Sequence, residues 1–290
     1  MDGPFPAKEL RDLINLELLD LSRNRFNGTI PVEELSAQWN LKALDLSDNK
    51  FSGSMELQGK LSGEVFPEEE EVTLSSISDL FMDNNQFTGN IGKGLRNLHY
   101  LSALDISNNG LSGVIPNWIG QLPHLTALLL SNNLLEGTIP TSLFHISTLF
   151  LLDLSENSLS GDIPPHIISA MPSILFLQDN NLSGIIPDTL LMNVTVLDLR
   201  NNRLSGSIPE FTNIQSIGIL LLRGNDLTGR IPRQLCGLRT IHLLDLANNR
   251  LNGSIPSCLG NASFGLGRED ALYLFELRSG DMDSSFEELA

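Results

Sequence analysis

Apolar and polar residues alternate along this 290-residue chain in short runs, and each run is followed by an asparagine. In Leu152-Asp153-Leu154, for example, alternation places both leucines on one side of a strand and Asp153 on the other, and Asn157 follows three residues later. The pattern L-x-L-x-x-N-x-(L/F)-x-G, with Ile or Met allowed at the second leucine, occurs ten times at intervals of 22 to 36 residues. Its asparagines, here called the ladder asparagines, are Asn24, Asn49, Asn85, Asn109, Asn133, Asn157, Asn180, Asn202, Asn225 and Asn249.

Each unit predicts one coil of a leucine-rich repeat, because this period and pattern are typical of that architecture. Stacked coils would pair their strands into one parallel sheet, and the ladder amides would bond backbone groups that are otherwise buried unpaired. Glycine follows every ladder asparagine by four residues, and proline comes three residues later in eight of the ten units. We therefore predict an α/β solenoid, a right-handed leucine-rich repeat superhelix with a parallel β-sheet on the concave face and irregular, 3-10 or short helical segments on the convex face.

The start of the chain predicts an incomplete coil. Gly3 precedes Gly28 by 25 residues, the same distance that separates Gly28 from Gly53. Residues 1–15 are therefore interpreted as the back half of an upstream repeat whose strand is missing. The strand at Leu19–Leu21 would then lie at an open edge of the sheet, which favours self-association or fraying.

The rest of the chain divides into two segments. Residues 16–261 hold the ten repeats, with an acidic loop insertion at about 54–76 that contains Glu68–Glu71 and accounts for the 36-residue interval. Residues 262–290 are an acidic C-terminal tail in which the repeat register is lost. This tail is a candidate for the start of an island region.

Charge and composition argue against several classes of function. The chain has 18 Lys and Arg against 35 Asp and Glu, a net charge of −17, which disfavours nucleic acid and anionic membranes as partners. The sequence shows no signal peptide and no apolar run long enough for a transmembrane segment. Its five histidines have no metal-ligand spacing, and no Ser/His/Asp or Cys/His grouping converges. We predict no metal, no cofactor and no enzyme activity.

Candidate ligand-binding residues lie where the strands should face the concave surface. Between the two strand leucines, Asp alternates with an apolar residue from the fourth repeat onwards, and Asp can be explained as the default of the repeat. Large apolar groups on a wet face, beside arginines in one column, suit an extended peptide with an acidic group or a C-terminal carboxylate. The alternative for Arg200 is an ion pair with Asp198 or a neighbour. The predicted ligand-binding residues are Phe81, Leu129, Phe176, Gln178, Arg200, Leu221 and Arg223.

Two cysteines and five N-x-S/T sequons are candidates for covalent modification. Cys236 and Cys258 lie 22 residues apart, about one repeat, but follow their prolines by four and two residues, so pairing and non-pairing both stay open. The candidate N-glycosylation sites are Asn27, Asn181, Asn193, Asn252 and Asn261.

The unit L-x-x-L-x-L-x-x-N-x-L-x-G-x-I-P resembles the plant-specific class of leucine-rich repeats over residues 3–265. The stretches "LRDLINLELLDLSRNRFNGTIPVEEL", "IPNWIGQLPHL" and "LCGLRTIHLLDLANNRLNGSIPSCLGNASFG" are similar to the ectodomains of plant receptor-like proteins, the kinase-less relatives of receptor kinases. The resemblance implies a module at the extracellular face of the plasma membrane that binds a peptide or protein ligand in signalling or defence. It also implies a co-receptor kinase as a further partner.

Two other interpretations stay open from the sequence. A secreted leucine-rich repeat inhibitor of microbial wall-degrading enzymes uses a similar solenoid, although it would be expected to carry cysteine-paired caps at both ends. A truncated product without independent function would explain the start inside a repeat.

Overall fold

A computed structural model describes residues 1–6, 13, 15–30, 40–55, 76–165, 173–192, 194–210, 217–238 and 240–261. The acidic part of the predicted insertion, at 56–75, and the predicted tail at 262–290 lie outside these residues. Within them, parallel strands stack coil upon coil into two sheets, which is the architecture of a leucine-rich repeat solenoid. The predicted fold class is confirmed.

Among the described residues, the first sheet contains ten parallel strands of three residues each, and their order across the sheet follows the chain. The strands pair in register, so that Leu128 lies opposite Leu104 on one side and Leu152 on the other. The strands are β2 Leu18–Asp20, β4 Ala43–Asp45, β6 Asp79–Phe81, β8 Ala103–Asp105, β10 Ala127–Leu129, β12 Leu151–Asp153, β14 Ile174–Phe176, β16 Val196–Asp198, β17 Ile219–Leu221 and β18 Leu243–Asp245.

A second parallel sheet, with eight strands in the part of the chain that the structure describes, follows the ladder asparagines, and the sequence analysis did not predict it. Its signal is an alternation with period two: Phe26, Phe51 and Phe87 are buried while the residues before them are exposed. The strands are β1 Asp2–Pro4, β3 Arg25–Gly28, β5 Lys50–Ser54, β7 Gln86–Gly89, β9 Gly110–Val114, β11 Leu134–Gly137, β13 Ser158–Asp162 and β15 Asn181–Ser183. Single bridges continue the sheet. They pair Ile185 with Ser205, Ser207 with Thr228, and Arg230 with Asn252.

Short 3-10 helices close the coils on the side away from the first sheet. Each is four or five residues long, and Pro116 and Pro140, for example, are the N-cap residues of two of them, where their fixed φ and extended backbone lead the chain into the helix. No helix in the described part of the chain is long and apolar enough to cross a membrane. The helices span Lys93–Asn97, Asn117–Gln121, Thr141–His145, Asp188–Leu191, Arg233–Gly237 and Ser257–Asn261.

One continuous apolar core runs through the coils. The central leucine of each strand contributes to it, and Leu104, Leu128 and Leu152 have no exposed surface. Burial of one such side chain stabilises the fold by about 1.5–3 kcal/mol. At the N-terminal end, the rings of Phe26 and Phe51 stack with centroids 6.1 Å apart.

The ladder asparagines connect each coil to the one before it. The Oδ1 atom of Asn133 accepts a hydrogen bond from the amide of Leu111 at 3.0 Å, and its Nδ2 atom donates to the carbonyls of Ile106 and Leu130 at 3.1 and 3.2 Å. The same contacts recur in the other coils, for example at Asn249. The polar backbone groups inside the solenoid are satisfied in this way.

The residue before each ladder asparagine adopts a left-handed backbone conformation. Nine of these residues are not glycine and have φ between 50° and 57°, and Gly224 takes the tenth position. Asn and Asp tolerate this region better than most residues, and both recur there, as at Asn132 and Asp179. This turn aims the ladder amide into the coil.

A disulfide joins Cys236 to Cys258, with the Cα atoms 5.6 Å apart. It links the last two 3-10 helices, Arg233–Gly237 and Ser257–Asn261. Of the two alternatives that the sequence left open, the structure has the paired one.

Candidate ligand-binding face

The outward side chains of the first sheet form columns across the concave face, because the strands pair in register about 4.8 Å apart. The first column, directly before the central leucine, contains Leu18, Ala43, Asp79, Ala103, Ala127, Leu151, Ile174, Val196, Ile219 and Leu243. The second column, directly after it, contains Asp20, Asp45, Phe81, Asp105, Leu129, Asp153, Phe176, Asp198, Leu221 and Asp245. The third column, two residues further on, contains Ser22, Ser47, Asp83, Ser107, Ser131, Ser155, Gln178, Arg200, Arg223 and Ala247.

The first column carries a large aliphatic residue in each of its last five coils. We call Leu151, Ile174, Val196, Ile219 and Leu243 the aliphatic strip. The three middle members are buried against one another in a cluster of their own, separate from the core of the solenoid. At the end of the strip, 42 % of the surface of Leu243 is exposed.

The sequence analysis missed the aliphatic strip because it considered the second and third columns only. A signal was present in the first column. Two consecutive coils carry alanine there, at Ala103 and Ala127, and the next five carry Leu, Ile or Val. Branched aliphatic residues on a sheet face without another element over it indicate a binding surface.

Several predicted ligand-binding residues are less accessible than expected. Phe81 and Leu221 are only 8 % and 5 % exposed, and Gln178 has no exposed surface. The expectation that all four apolar residues of the second column meet water is therefore wrong for two of them, while Leu129 and Phe176 are half-buried. Because the strands pair in register, the neighbouring coils on both sides cover the buried side chains of these columns.

The aspartates of the second column are also more buried than the alternation pattern suggested. Asp153 is buried, and its Oδ1 atom accepts hydrogen bonds from the amide of Ser155 at 2.9 Å and from the hydroxyl of Ser155 at 2.6 Å. Asp45 and Asp105 accept the same amide bond from Ser47 and Ser107 at 2.9 Å. These carboxylates hold the turn after each strand.

The two predicted arginines have different surroundings. The Nε atom of Arg200 donates to Oδ1 and Oδ2 of Asp198 at 2.9 and 3.0 Å, and the side chain of Asp198 is 1 % exposed. Hydrogen bonding to Asp198 raises the pKa of Arg200 above its ordinary value. Arg200 therefore forms the ion pair with Asp198 that the sequence analysis gave as the alternative to ligand binding. Arg223 is exposed and forms no ion pair within the described residues.

Three aspartates of adjacent coils form an acidic patch, defined as Asp45, Asp83 and Asp105. Burial, followed by the charge of Asp105, raises the pKa of Asp83 to about 8. Burial also raises the pKa of Asp105 to about 6, with smaller contributions from Asp153 and Asp45. The pKa of Asp45 is raised chiefly by burial. Burial is the main cause in all three, and the neighbouring aspartates add to it.

Three of the five sequons have described side chains, and these lie away from the concave columns. Asn27 and Asn181 are exposed on β3 and β15 of the second sheet, and Asn252 is exposed at the bridge that continues it. Asn193 and the side chain of Asn261 lie outside the described residues. Within the part of the chain that the structure describes, no group of three or more His, Cys, Asp or Glu is placed to hold a metal ion.

A family model described as Leucine Rich Repeat matches residues 15–35, 40–59, 100–122, 124–146, 148–170, 193–213 and 240–262, which together make up more than half of the chain. The chain belongs to the leucine-rich repeat family. It is 75 % identical over 217 residues to Receptor-like protein 15 of Arabidopsis thaliana, an alignment that covers 75 % of this chain and 22 % of that protein.

Solved structures of plant receptor ectodomains share the fold of this leucine-rich repeat chain. The plant peptide hormone receptor RGFR1 in complex with RGF2 superposes with a TM-score of 0.78 at 32 % identity, over 90 % of this chain and 40 % of that one. The Arabidopsis receptor kinase HAESA, in complex with the peptide hormone IDA and the co-receptor SERK1, superposes with a TM-score of 0.77 at 34 % identity, over 91 % of this chain and 43 % of that one. The chain spans less than a quarter of its curated relative and less than half of these two ectodomains.

Proposed function

We propose that this chain is a ligand-recognition segment of a plant cell-surface receptor-like protein, and that its concave face binds an extended peptide or protein segment. The aliphatic strip carries the proposal. It forms an apolar cluster on a sheet face that no described element covers, and Arg223, two columns away in the coil of β17, is exposed. Apolar pockets with a few charged groups are how sheet faces and grooves recognise extended peptides.

The related ectodomains support this proposal. The peptide hormone receptor RGFR1 was solved in complex with RGF2, and HAESA was solved with the peptide hormone IDA and the co-receptor SERK1. By analogy, we propose a peptide or protein ligand for this chain, with a co-receptor kinase as a second partner, in signalling or defence. The predicted contacts at Leu129, Phe176 and Arg223 remain part of the proposal.

Two features support an extracellular location at the plasma membrane. Disulfides such as Cys236–Cys258 persist in oxidising compartments and are rare in the cytosol. Glycans at Asn27, Asn181 or Asn252 would project from the side of the second sheet and leave the concave face open. In the parent protein, residues 1–15 would belong to a preceding repeat, residues 16–261 would form ten repeats, and residues 262–290 would lead into an island region.

The proposal is tested with a random peptide library displayed on phage and selected against the folded chain. We expect Leu243→Asp, on the concave face, to weaken the binding of the enriched peptides at least tenfold, because it places a charge at the exposed end of the aliphatic strip. Ile185→Asp is the matched control, since Ile185 is an apolar residue with 65 % exposure next to β15 of the second sheet. Equal effects of the two substitutions, or an effect of neither, would overturn the proposal.

A further inference from the structure

Apolar residues and aspartates alternate along the second column of the concave face. From β6 to β18 this column contains, one residue per strand, Phe81, Asp105, Leu129, Asp153, Phe176, Asp198, Leu221 and Asp245. An apolar residue therefore returns at every second strand. Since neighbouring strands lie about 4.8 Å apart, the apolar positions repeat about every 9.6 Å across the sheet.

The apolar positions are also where the apolar surface is widest. At β14 and β17 the first and second columns are both apolar, with Ile174 beside Phe176 and Ile219 beside Leu221. These four side chains contribute to the cluster that is separate from the core of the solenoid. Leu129 and Phe176 are only half-buried, so they offer apolar surface to a ligand at two positions that are two strands apart.

The aspartates between the apolar positions do not require a charged group from a ligand. Asp153 accepts hydrogen bonds from the amide and the hydroxyl of Ser155 at 2.9 and 2.6 Å. Asp198 has its ion pair with Arg200. Recognition along this column therefore depends on the spacing of the apolar positions.

The spacing distinguishes between the regular conformations of a peptide that lies across the strands. In a polyproline II helix every third side chain faces the same side, at intervals of about 9.3 Å. In a β-strand such side chains recur every 6.7 Å or so. In an α-helix seven residues, or two turns, take about 10.5 Å. The mismatch with the column is thus about 0.3 Å per period for polyproline II, about 0.9 Å for the α-helix and about 2.9 Å for the β-strand.

The size of the surface favours a peptide over a second copy of the chain. From β12 to β18 the aliphatic strip and the second column beside it extend over four strand intervals. This surface is about 19 Å long and about 7 Å wide, or roughly 130 Å². A stable interface between two proteins buries about 800 Å² on each partner. One peptide chain is enough to cover the smaller area.

Given the proposed function, on which this inference rests, we propose that the ligand binds as a polyproline II helix that crosses the strands with an apolar side chain at every third residue. Successive apolar side chains lie over β10, β14 and β17, where they contact Leu129, Phe176 and Ile219. Proline suits the residues between them, because it holds the free peptide in this conformation and so lowers the entropy lost on binding.

The test uses synthetic fluorescent peptides and the folded chain. The first probe repeats Leu-Pro-Pro four times. The second separates its four leucines by three prolines each, so that they face different sides of the same helix, and the third repeats Leu-Gly-Gly, which has the same spacing but a flexible backbone. Fluorescence anisotropy measures the affinities, and we expect the first probe to bind at least tenfold more tightly than either of the others.

Variants of the chain locate the binding. Phe176→Ser should weaken the first probe at least fivefold, whereas Phe176→Leu keeps an apolar group and should retain most of the affinity. Leu129→Ser repeats the test at the neighbouring apolar position. Tyr100→Ser is the matched control, because Tyr100 is an aromatic residue with 56 % exposure outside the three concave columns. Circular dichroism confirms that each variant is folded.

The outcomes separate this inference from the proposed function. Equal affinities of the first and second probes, including no binding by either, would overturn the inference, and so would equal effects of Phe176→Ser and Tyr100→Ser. If library peptides still lose affinity with Leu243→Asp, the proposed function stands. A dimer of the chain that Phe176→Ser dissociates would show that a second copy covers this face, which would also overturn the inference.

Discussion

The interior columns and the concave columns of this solenoid differ in how much they vary between coils. Inside, the central leucine and the ladder asparagine recur in coil after coil, as at Leu128 and Asn133. On the concave face, the first column changes from Ala127 to Leu151 and Ile174 within three coils. An interior residue has the same neighbours in every coil, whereas a concave residue has one open side. Stability therefore depends on the uniform columns, and recognition on the variable ones.

The strongest test of this comparison uses two adjacent asparagines of one coil. We expect Asn133→Leu to lower the free energy of unfolding by about 4 kcal/mol, because several backbone groups lose their partner at about 1–3 kcal/mol each. Asn132→Asp, at the exposed residue before it, should cost less than about 1 kcal/mol. Urea unfolding followed by circular dichroism measures both. Similar losses would show that the ladder does not depend on its amides.

A second test uses adjacent leucines on opposite sides of β12. Leu152 has no exposed surface and lies in the core, so Leu152→Ala should cost about 3 kcal/mol. Leu151 is half-buried on the concave face. Leu151→Ala should lower the free energy of unfolding by about 1 kcal/mol and should also weaken the binding of any ligand on the concave face. The reverse order of the two stability losses would contradict the assignment of the two faces.

The third test compares the two arginines of the third column. Arg200→Met leaves the buried carboxylate of Asp198 without its ion pair, and we expect a loss of about 2 kcal/mol. Arg223→Met removes an exposed charge and should change stability by less than about 0.5 kcal/mol. The affinity for a ligand should show the opposite order, so that Arg223→Met lowers the affinity more than Arg200→Met does. Equal stability losses would mean that the Asp198 ion pair contributes nothing.

The last test is a pH dependence from the acidic patch. The pKa values of Asp83 and Asp105 are raised to about 8 and about 6, and ordinary carboxyls in an unfolded chain titrate near pH 4. Between pH 4 and 8 the folded chain therefore binds more protons than the unfolded chain, and these groups lower its stability as the pH rises. The Tm of Asp83→Asn relative to the unchanged chain should increase by a few degrees from pH 5 to pH 8.

Asp162→Asn is the control for that measurement, since its side chain is exposed on the second sheet. Its Tm relative to the unchanged chain should stay constant over the same pH range. A relative Tm of Asp83→Asn that falls as the pH rises would contradict the raised pKa.

The amino-acid sequence alone determined the solenoid, the first sheet and the ladder asparagines. Each of these is a local property that repeats: a strand leucine or a residue such as Asn157 has the same role in every coil, so a period of about 24 residues reveals it. The second sheet was equally local, because residues such as Phe51 and Phe87 alternate with exposed neighbours. It was missed because the predicted coil had one strand only, with irregular, 3-10 or short helical segments on the convex face.

Exposure on the concave face was decided only by the tertiary structure. Alternation tells which side of a strand Leu221 is on, but its burial depends on residues of other coils, such as Val196 in the same apolar cluster. The same holds for Arg200, which meets Asp198, while Arg223 in the next coil has a leucine at the corresponding position. Such contacts either join residues of different coils or require a particular side-chain conformation. A repeat pattern that treats each coil alike contains no information about them.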